Sequence, residues 1–307
     1  MAQLTADQVI SHAQEGRSLH HTELSRINLK GANLEYVSLA HSYLRLANLS
    51  GAFCQGTDLS HAVLTRADLS RGCFESAKLV EAQLIRAVCK GANFRGLQGD
   101  RATFRGAIMS QANLEGATLN WSAFQEAYGK GTNFGHTSLI EANFQGSDFS
   151  HSNFRGAKLP RTNWLQARLA GAVFEIADLE NAHLAETQLV GTVFIGANLL
   201  NADFERANLT KATLQDATLD WANFFEAKLS RADLYHASLF GTILESADLS
   251  EANLSGADLR HANLEGADLK GAKLDGCNVD GALFTDVYGL TSAQKEWLID
   301  NGALNVF

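Results

Sequence analysis

The segment "ANLSGADLRHANLEGADLKGAKL" (residues 252–274) repeats a unit of five residues. Leucine occupies every fifth position from Leu254 to Leu274, and an alanine stands two positions before each of these leucines. Side chains of an α-helix recur with a period of 3.6 residues and those of a β-strand with a period of two. A period of five fits neither element and indicates a repetitive fold.

The five-residue register extends far beyond this segment. It runs from Leu19 to Phe284 without an insertion or deletion and defines 54 positions, here called centre positions. Leu, Phe, Met or Trp occupies 49 of them, and the residue two positions earlier is usually Ala, Ser or Thr. The remaining centres are Cys54, Cys89, Gly99, Gly129 and Val279. Chance does not produce such regularity, so the repeat determines the architecture.

A chain that turns a corner every five residues buries both the centre residue and the small residue before it. Four corners close a square coil of 20 residues, and about 13 coils then stack at the usual inter-strand distance of about 4.8 Å. The three other residues of each unit face water. Because each coil buries its interior only against its neighbours, the sequence predicts an all-β solenoid.

Stepping by 20 also sorts the centre residues by size. Most Phe centres fall on two opposite sides of the square, and the other two sides are almost entirely Leu, with Phe149 as their one Phe. Gly99 and Gly129 leave the core without a centre side chain. We expect either a packing adjustment or kink, in which a neighbouring ring fills the space, or a local bulge that shapes a partner-binding surface.

The unit Ala257-Asp258-Leu259-Arg260-His261 has the pattern A(D/N)LXX and resembles the repeat of the pentapeptide-repeat proteins. This resemblance implies a right-handed quadrilateral β-helix. It also implies that a homodimer through a solenoid end is a fair possibility, because end-to-end dimers occur in that family.

The two ends of the repeat predict short helical caps, which a solenoid needs to cover its exposed ends. We assign residues 1–16 to an N-terminal cap, 17–288 to the β-helix, and 289–307 to a C-terminal cap and tail. Thr5 with Gln8, and Thr291 or Ser292, are the predicted N-caps. The predicted contacts of the C-terminal cap, or of a dimer through that end, are Trp297, Leu298 and Phe307.

The composition excludes several classes of function. The net charge of −9 argues against direct nucleic-acid binding. The four Cys show neither zinc nor disulfide spacing. A positively charged apolar leader and a long apolar run are both missing from the sequence, so we expect a cytoplasmic protein without a membrane contact. Phosphate-binding loops and catalytic motifs are missing as well. We therefore expect no enzymatic activity, no cofactor and no metal.

His21, His41 and His61 are spaced by 20 residues and should form one column on successive coils. Such a column is either a solvated polar stripe, which we favour, or a metal site. Further along the same register, Trp121 and Trp221 occupy outward positions. With Phe225, Tyr235 and Phe240 they are the predicted partner-binding residues, because exposed aromatic clusters are typical of interaction surfaces.

These features favour a non-enzymatic bacterial scaffold that binds a partner protein along the solenoid surface. One alternative, which the family resemblance suggests, is an acidic DNA mimic that binds DNA gyrase or topoisomerase, as quinolone-resistance members do. Residues 1–90 hold nine basic and eight acidic residues, which argues against a DNA mimic. A third alternative, by analogy only, is an accessory protein or effector of a bacterial secretion system.

Overall fold

The computed structural model describes residues 4–307. The chain divides into two compact units, of which the first ends at Lys158 and the second runs from Leu159 to Phe307. The sequence repeat gives no sign of this division, because the five-residue register crosses it unbroken.

Within each unit, a turn closes every five residues. In the first unit, the amide of Ile27 donates to the carbonyl of Leu24 at 3.2 Å, and Arg26 between them has a φ of 63°. A positive φ at the third turn residue is the geometry of a type II turn, which glycine adopts without strain. A residue with a Cβ adopts it at a cost of about 1–2 kcal/mol. The backbone therefore explains why glycine is common at the fifth position of the repeat.

Hydrogen bonds join each coil to the next. The amide of Leu24 donates to Tyr43 at 2.8 Å, that of Tyr43 to Thr22 at 2.9 Å, and that of Arg26 to Arg45 at 2.8 Å. Each pentapeptide contributes one residue to a parallel β-bridge, as in Glu23 with Tyr43 and, in the second unit, Asp203 with Asn223. The extended pieces are thus isolated bridges. Within the repeat, bridged residues are 20 apart, which confirms the four-sided coil.

Stacked phenylalanines fill the core of the first unit. The ring centroids of Phe104 and Phe124 lie 4.9 Å apart, and those of Phe124 and Phe144 lie 4.7 Å apart, with nearly parallel planes. On the opposite side, Phe134 stacks on Phe154 at 4.8 Å. The two stacks meet edge to face, as in Phe124 and Phe134 at 5.8 Å and 90°. The structure thus places the Phe-rich sides opposite each other, as the sequence predicted.

The missing side chain of Gly129 is replaced by the ring of Phe149, which lies one coil further along on the same side. A Cβ on Gly129 would lie 2.1 Å from the Phe149 ring. That ring contacts four other phenylalanines edge to face, at centroid distances from 5.3 to 6.4 Å. At Gly99 the space is taken in the same way by Leu119 and Leu97. Of the two expectations for these glycines, the packing adjustment describes the structure.

The second unit has the same construction. Phe204 stacks on Phe224 at 4.8 Å, and Phe174 stacks on Phe194 at 5.1 Å. Edge-to-face contact joins Phe194 to Phe204 at 6.1 Å. The core centres here follow the regular repeat up to Phe284, so this core contains no gap like the one at Gly129.

Two helices occur within residues 4–307, and they confirm the predicted helical caps. α1 spans Ala6–Gln14 in the first unit, and α2 spans Ser292–Asp300 in the second. Thr5 with Gln8 and Thr291 with Gln294 each form a complete capping box.

The residues after α2 extend the hydrogen-bond ladder of the last coil. Leu304 forms a parallel bridge with Leu283, and its amide donates to Ala282 at 2.8 Å. Leu298 is fully buried, which makes it a cap residue, whereas Trp297 is half-buried. Phe307 is 82% exposed, and its carbonyl accepts a hydrogen bond from Lys295. A dimer contact through Trp297 or Phe307 stays a prediction.

Candidate protein-interaction surface

Trp221 lies at a corner of the second unit, in the left-handed turn position with a φ of 61°. From there its indole reaches over the corner of the next coil, where residue 241 is glycine. A Cβ on Gly241 would lie 2.5 Å from the indole ring. Gly241 leaves room for the ring, and it adopts its own φ of 63° without the strain that a residue with a Cβ has there. More than half of the Trp221 side chain, 56%, remains exposed.

Phe240 completes an aromatic pair with Trp221. The two ring centroids are 5.2 Å apart and the planes meet at 80°, an edge-to-face arrangement. Asp220 fixes the backbone here, because its carboxylate accepts hydrogen bonds from the Phe240 amide at 3.2 Å and from the Ser238 hydroxyl. The half-buried Phe240 is thus held in place against Trp221.

The next coil adds a cation and an imidazole to this pair. The His261 ring meets Phe240 edge to face at 5.3 Å, and the Arg260 guanidinium lies 5.6 Å from the centre of the Phe240 ring, in cation–π range. Asp258 orients Arg260 through an ion pair of 2.7 Å, and the hydrogen bonds from Arg260 hold the pKa of Asp258 below its usual value. We call Trp221, Phe240, Arg260 and His261 the Trp221 patch.

Trp121, in the first unit, occupies the same turn position of the repeat and is 50% exposed, but it has different neighbours. Its indole N–H donates to Glu141 at 3.1 Å, and Arg101 lies 5.7 Å from its ring centre. Ile140 stands where the second unit has Phe240. Trp121 therefore has its polar atom satisfied by a carboxylate and has no aromatic partner in the structure.

The other two predicted residues lie at different corners of the coil. Phe225 follows the Phe224 centre and packs under Arg206 at 5.9 Å, and Tyr235 follows the Leu234 centre and stacks on His236 at 3.9 Å. The Trp221–Phe240 pair instead belongs to the corner formed after Leu219 and Leu239. Of the predicted aromatic residues in the second unit, the structure brings only Trp221 and Phe240 together.

Sequence reasoning missed Gly241, Asp220, Arg260 and His261. The signal was present in the 20-residue step, because Gly241 and His261 follow Trp221 at that spacing and Arg260 follows Phe240. The same signal recurs elsewhere. Tyr36 covers Gly56 and His136 covers Gly156 in the first unit, and His236 covers Gly256 in the second.

The His column of the first unit is a stack of imidazole rings. The His21 and His41 centroids are 4.8 Å apart, and those of His41 and His61 are 4.5 Å apart with planes within 5°. His61 lies 3.4 Å from Glu81. Partial burial, with the like charges of His61, His21 and His20, lowers the pKa of His41. In residues 4–307, no group of three or more His, Cys, Asp or Glu is arranged to hold a metal ion.

The buried cysteines are not activated for chemistry. Burial raises the pKa of Cys54 and of Cys277 to about 12, and it raises the pKa of Cys89 as well. A thiol that stays protonated at neutral pH is a poor nucleophile. In the part of the chain that the structure describes, no helix is long and apolar enough to cross a bilayer.

The comparisons with known proteins agree with this architecture. The sequence model described as pentapeptide repeats (8 copies) matches residues 18–79 and 82–286 in overlapping segments. No curated protein is similar enough to this chain to count as a match. The chain therefore belongs to the pentapeptide-repeat family, and its coils form the right-handed quadrilateral β-helix of that family. Proteins of this family are generally structural or interaction proteins.

Solved structures from several organisms are similar to this chain. A pentapeptide repeat protein from the Arabidopsis thaliana thylakoid lumen shares 35% identity, covering 35% of this chain and 79% of that protein, with a TM-score of 0.28. HetL, involved in heterocyst differentiation regulation in the cyanobacterium Nostoc sp. strain PCC 7120, shares 28% identity over 94% of this chain and 99% of its own, with a TM-score of 0.21. The plasmid-mediated fluoroquinolone resistance protein QnrB1 shares 21% identity over 75% and 98%, with a TM-score of 0.28.

Proposed function

We propose that this chain is a non-enzymatic scaffold that binds a partner protein through the Trp221 patch. The observation that carries the proposal is the pairing of an exposed tryptophan with an ordered phenylalanine, beside an arginine that is itself held by Asp258. Trp and Arg are the residues most enriched among the energetic hot spots of protein interfaces.

Rigidity supports this role. The Trp221 ring lies against Gly241 and Phe240, the Phe240 amide is bonded to Asp220, and Arg260 is paired with Asp258, so three of the four patch residues have contacts that limit their motion. Side chains that are already ordered lose little conformational entropy when a partner binds. The repeat supplies the backbone, and the patch supplies the specific contacts.

Partner capture with matched variants tests the proposal. The full chain and its Trp221→Ala, Arg260→Ala and Trp121→Ala variants are immobilised and exposed to extract from the native cells. Trp121→Ala is the matched control, because it removes an equally exposed tryptophan from the same turn position. We expect a protein that wild type and Trp121→Ala retain and that Trp221→Ala and Arg260→Ala lose.

Titration of the captured protein against each purified variant then measures the effect. Loss of a hot-spot tryptophan costs about 2 kcal/mol or more, which corresponds to a weakening of about 30-fold. Equal binding by the Trp121 and Trp221 variants would exclude the patch as the interface. Circular dichroism of each variant confirms that the coil remains folded.

A DNA mimic is a second candidate, favoured by the acidity of the second unit. Residues 159–307 hold 21 acidic and 10 basic residues. A supercoiling assay with DNA gyrase separates the two candidates. Inhibition, or protection against a quinolone, by wild type and by Trp221→Ala alike would support the mimic, whereas no effect at micromolar protein would argue against it.

A further inference from the structure

Five arginines follow one corner of the first unit, one on each of five consecutive coils. They are Arg26, Arg45, Arg66, Arg86 and Arg105. Each occupies one of the two turn positions after its centre residue, and all five are exposed. Within residues 4–307, only Arg105 has a carboxylate within ion-pair distance, that of Glu126 at 3.8 Å. Arg45 also interacts electrostatically with Glu23, so three guanidinium groups, those of Arg26, Arg66 and Arg86, are left without an acidic partner in the part of the chain that the structure describes.

Four of these arginines, all except Arg26, line a groove together with Glu126, and the groove also contains apolar surface. The groove has a volume of about 470 Å³, and Leu46 and Ile85 lie between the arginines. Leu46 is 47% exposed. We call the five arginines the Arg corner.

The same two turn positions carry acidic residues in the second unit, again one on each consecutive coil. They are Glu186, Glu205, Glu226, Glu245, Glu265 and Asp286. Arg206 is the one basic residue among them, and it pairs with Glu205 at 3.1 Å and Glu226 at 2.7 Å. Glu245, Glu265 and Asp286 have no ion pair within the described residues. We call the six acidic residues the acidic corner.

The charge of the whole chain follows the same division. Residues 1–158 hold 15 basic and 13 acidic residues, a net charge of +2, whereas residues 159–307 have a net charge of −11. The net charge of −9 for the chain conceals this asymmetry. Complementary surfaces of this kind attract each other and fix the register of association.

We propose that the Arg corner of one copy of this chain binds the acidic corner of a second copy. The coils of both units have the same geometry. Each corner therefore presents one charged side chain per coil, at a spacing of about 4.8 Å. Each arginine can then face one carboxylate along the whole contact. A nucleic-acid strand presents a charge about every 3.4 Å along a duplex axis and does not match this spacing.

This side-by-side contact is distinct from a dimer through the solenoid ends. Because each copy carries both corners, each copy can bind another through either of them. Exposed charges make most of the contact, so we expect association to be weak and strongly dependent on salt. Contact between solenoid ends would be mostly apolar and would depend little on salt.

Sedimentation velocity of the full chain gives the first test. We expect association at about 0.05 M salt and a monomer at about 1 M, where the screening length falls to about 3 Å. A monomer at low salt would overturn the proposal. So would an assembly that is unchanged between the two salt concentrations.

Charge exchange gives the sharper test. One variant carries Arg66→Glu and Arg86→Glu, and the other carries Glu245→Lys and Glu265→Lys. Each variant alone brings like charges together, so we expect each to sediment as a monomer at low salt. An equimolar mixture restores opposite charges at both contacts, and we expect it to associate at least as strongly as wild type.

A matched control distinguishes an effect of the Arg corner from an effect of the net charge of the first unit. Lys78→Glu with Arg95→Glu changes the charge of the first unit by the same amount on the opposite side of the coil, and we expect wild-type association. Failure of the mixture to associate would overturn the proposal. The wild-type chain could instead be monomeric and bind single-stranded DNA, with this binding lost in the Arg66→Glu and Arg86→Glu variant. That result would show that the Arg corner binds a polyanion and would overturn the proposal.

Discussion

Residues 119–149 in the first unit and 219–261 in the second each carry a tryptophan at the same turn position, yet they depart from the repeat in opposite places. The first segment departs inside the coil, where Gly129 lacks a centre side chain and Phe149 fills the space. The second departs outside, where Trp221 covers Gly241. In both, a large side chain is matched by a glycine 20 residues away. Size complementarity between adjacent coils is thus the packing rule of this fold, as cross-strand pairs are in a sheet.

The largest effect should come from breaking the inner pair. Gly129→Leu restores the regular repeat in sequence but places a side chain where the Phe149 ring lies, so we expect a loss of about 3 kcal/mol in unfolding free energy. Phe149→Leu alone leaves a gap and should cost about 1 kcal/mol. Urea unfolding of both variants measures these losses.

The double variant sharpens this test. With Leu at both positions the coil is regular again, so Gly129→Leu with Phe149→Leu should be more stable than Gly129→Leu alone. Additive losses would show that the two residues do not compensate each other.

The outer pair should give a smaller effect. Gly241→Ala introduces both a Cβ at positive φ and a clash with the Trp221 ring, and we expect a loss of about 2 kcal/mol together with a shift in tryptophan fluorescence. Gly191→Ala is the control, because its φ of 65° is similar and no atom lies within 4 Å of the added Cβ. Its expected loss is about 1 kcal/mol, with unchanged fluorescence. Equal losses of unfolding free energy in Gly241→Ala and Gly191→Ala would show that the contact with the Trp221 ring does not contribute.

A double-mutant cycle compares the two tryptophans directly. Edge-to-face aromatic pairs contribute about 0.5–1.5 kcal/mol beyond their buried area, so Trp221→Ala and Phe240→Ala should be coupled by that amount. Trp121→Ala and Ile140→Ala, at the corresponding positions of the first unit, should couple by less than about 0.5 kcal/mol. Similar coupling energies in both cycles would mean that the Phe240 ring stabilises Trp221 no more than Ile140 stabilises Trp121.

The smallest effect should be a pH dependence in the His column of the first unit. The pKa of His41 is lowered in the folded state, so the unfolded chain binds more protons as pH falls towards 6. The stability associated with His41 is therefore complete above its unfolded pKa and is lost as pH falls through the folded value. His20, His21, His61 and Asp58 are the charged neighbours that act on it.

Unfolding midpoints at pH 7.5 and 5.5 give the measurement, with pH values set on either side of the usual histidine pKa of about 6.5. We expect a lower midpoint at the acidic pH, and a smaller decrease in His41→Asn. A decrease of the same size in His41→Asn would assign the pH dependence to other groups.

The repeat made most of the fold predictable. A strict register of five, the small residue before each centre and the separation of Phe from Leu at a step of 20 together indicated a four-sided coil, and its handedness was implied only by the family resemblance. Both helical caps followed from Thr5 with Gln8 and from Thr291. At Gly129 the sequence predicted that a neighbouring ring would fill the space. It did not identify Phe149, because a sequence does not show which neighbouring side chain will enter the space.

The candidate site was less predictable. The sequence grouped Phe225, Tyr235 and Phe240 with Trp221 as outward aromatic residues, but the turns carry Phe225 and Tyr235 to other corners, and only Phe240, 19 residues after Trp221, lies beside it. In a coil that turns every five residues, side chains four residues apart belong to different corners, and side chains 19 or 20 apart become neighbours.

The amino-acid sequence by itself therefore determined the coil, its core and its caps, because a burial period of five with a 20-residue recurrence of side-chain size fits a chain that turns four corners per coil. Only the tertiary structure decided which outward side chains meet and how Asp220, Gly241 and Asp258 hold the Trp221 patch. These features depend on contacts between coils and on the direction that each side chain takes at a left-handed turn, which local sequence does not encode.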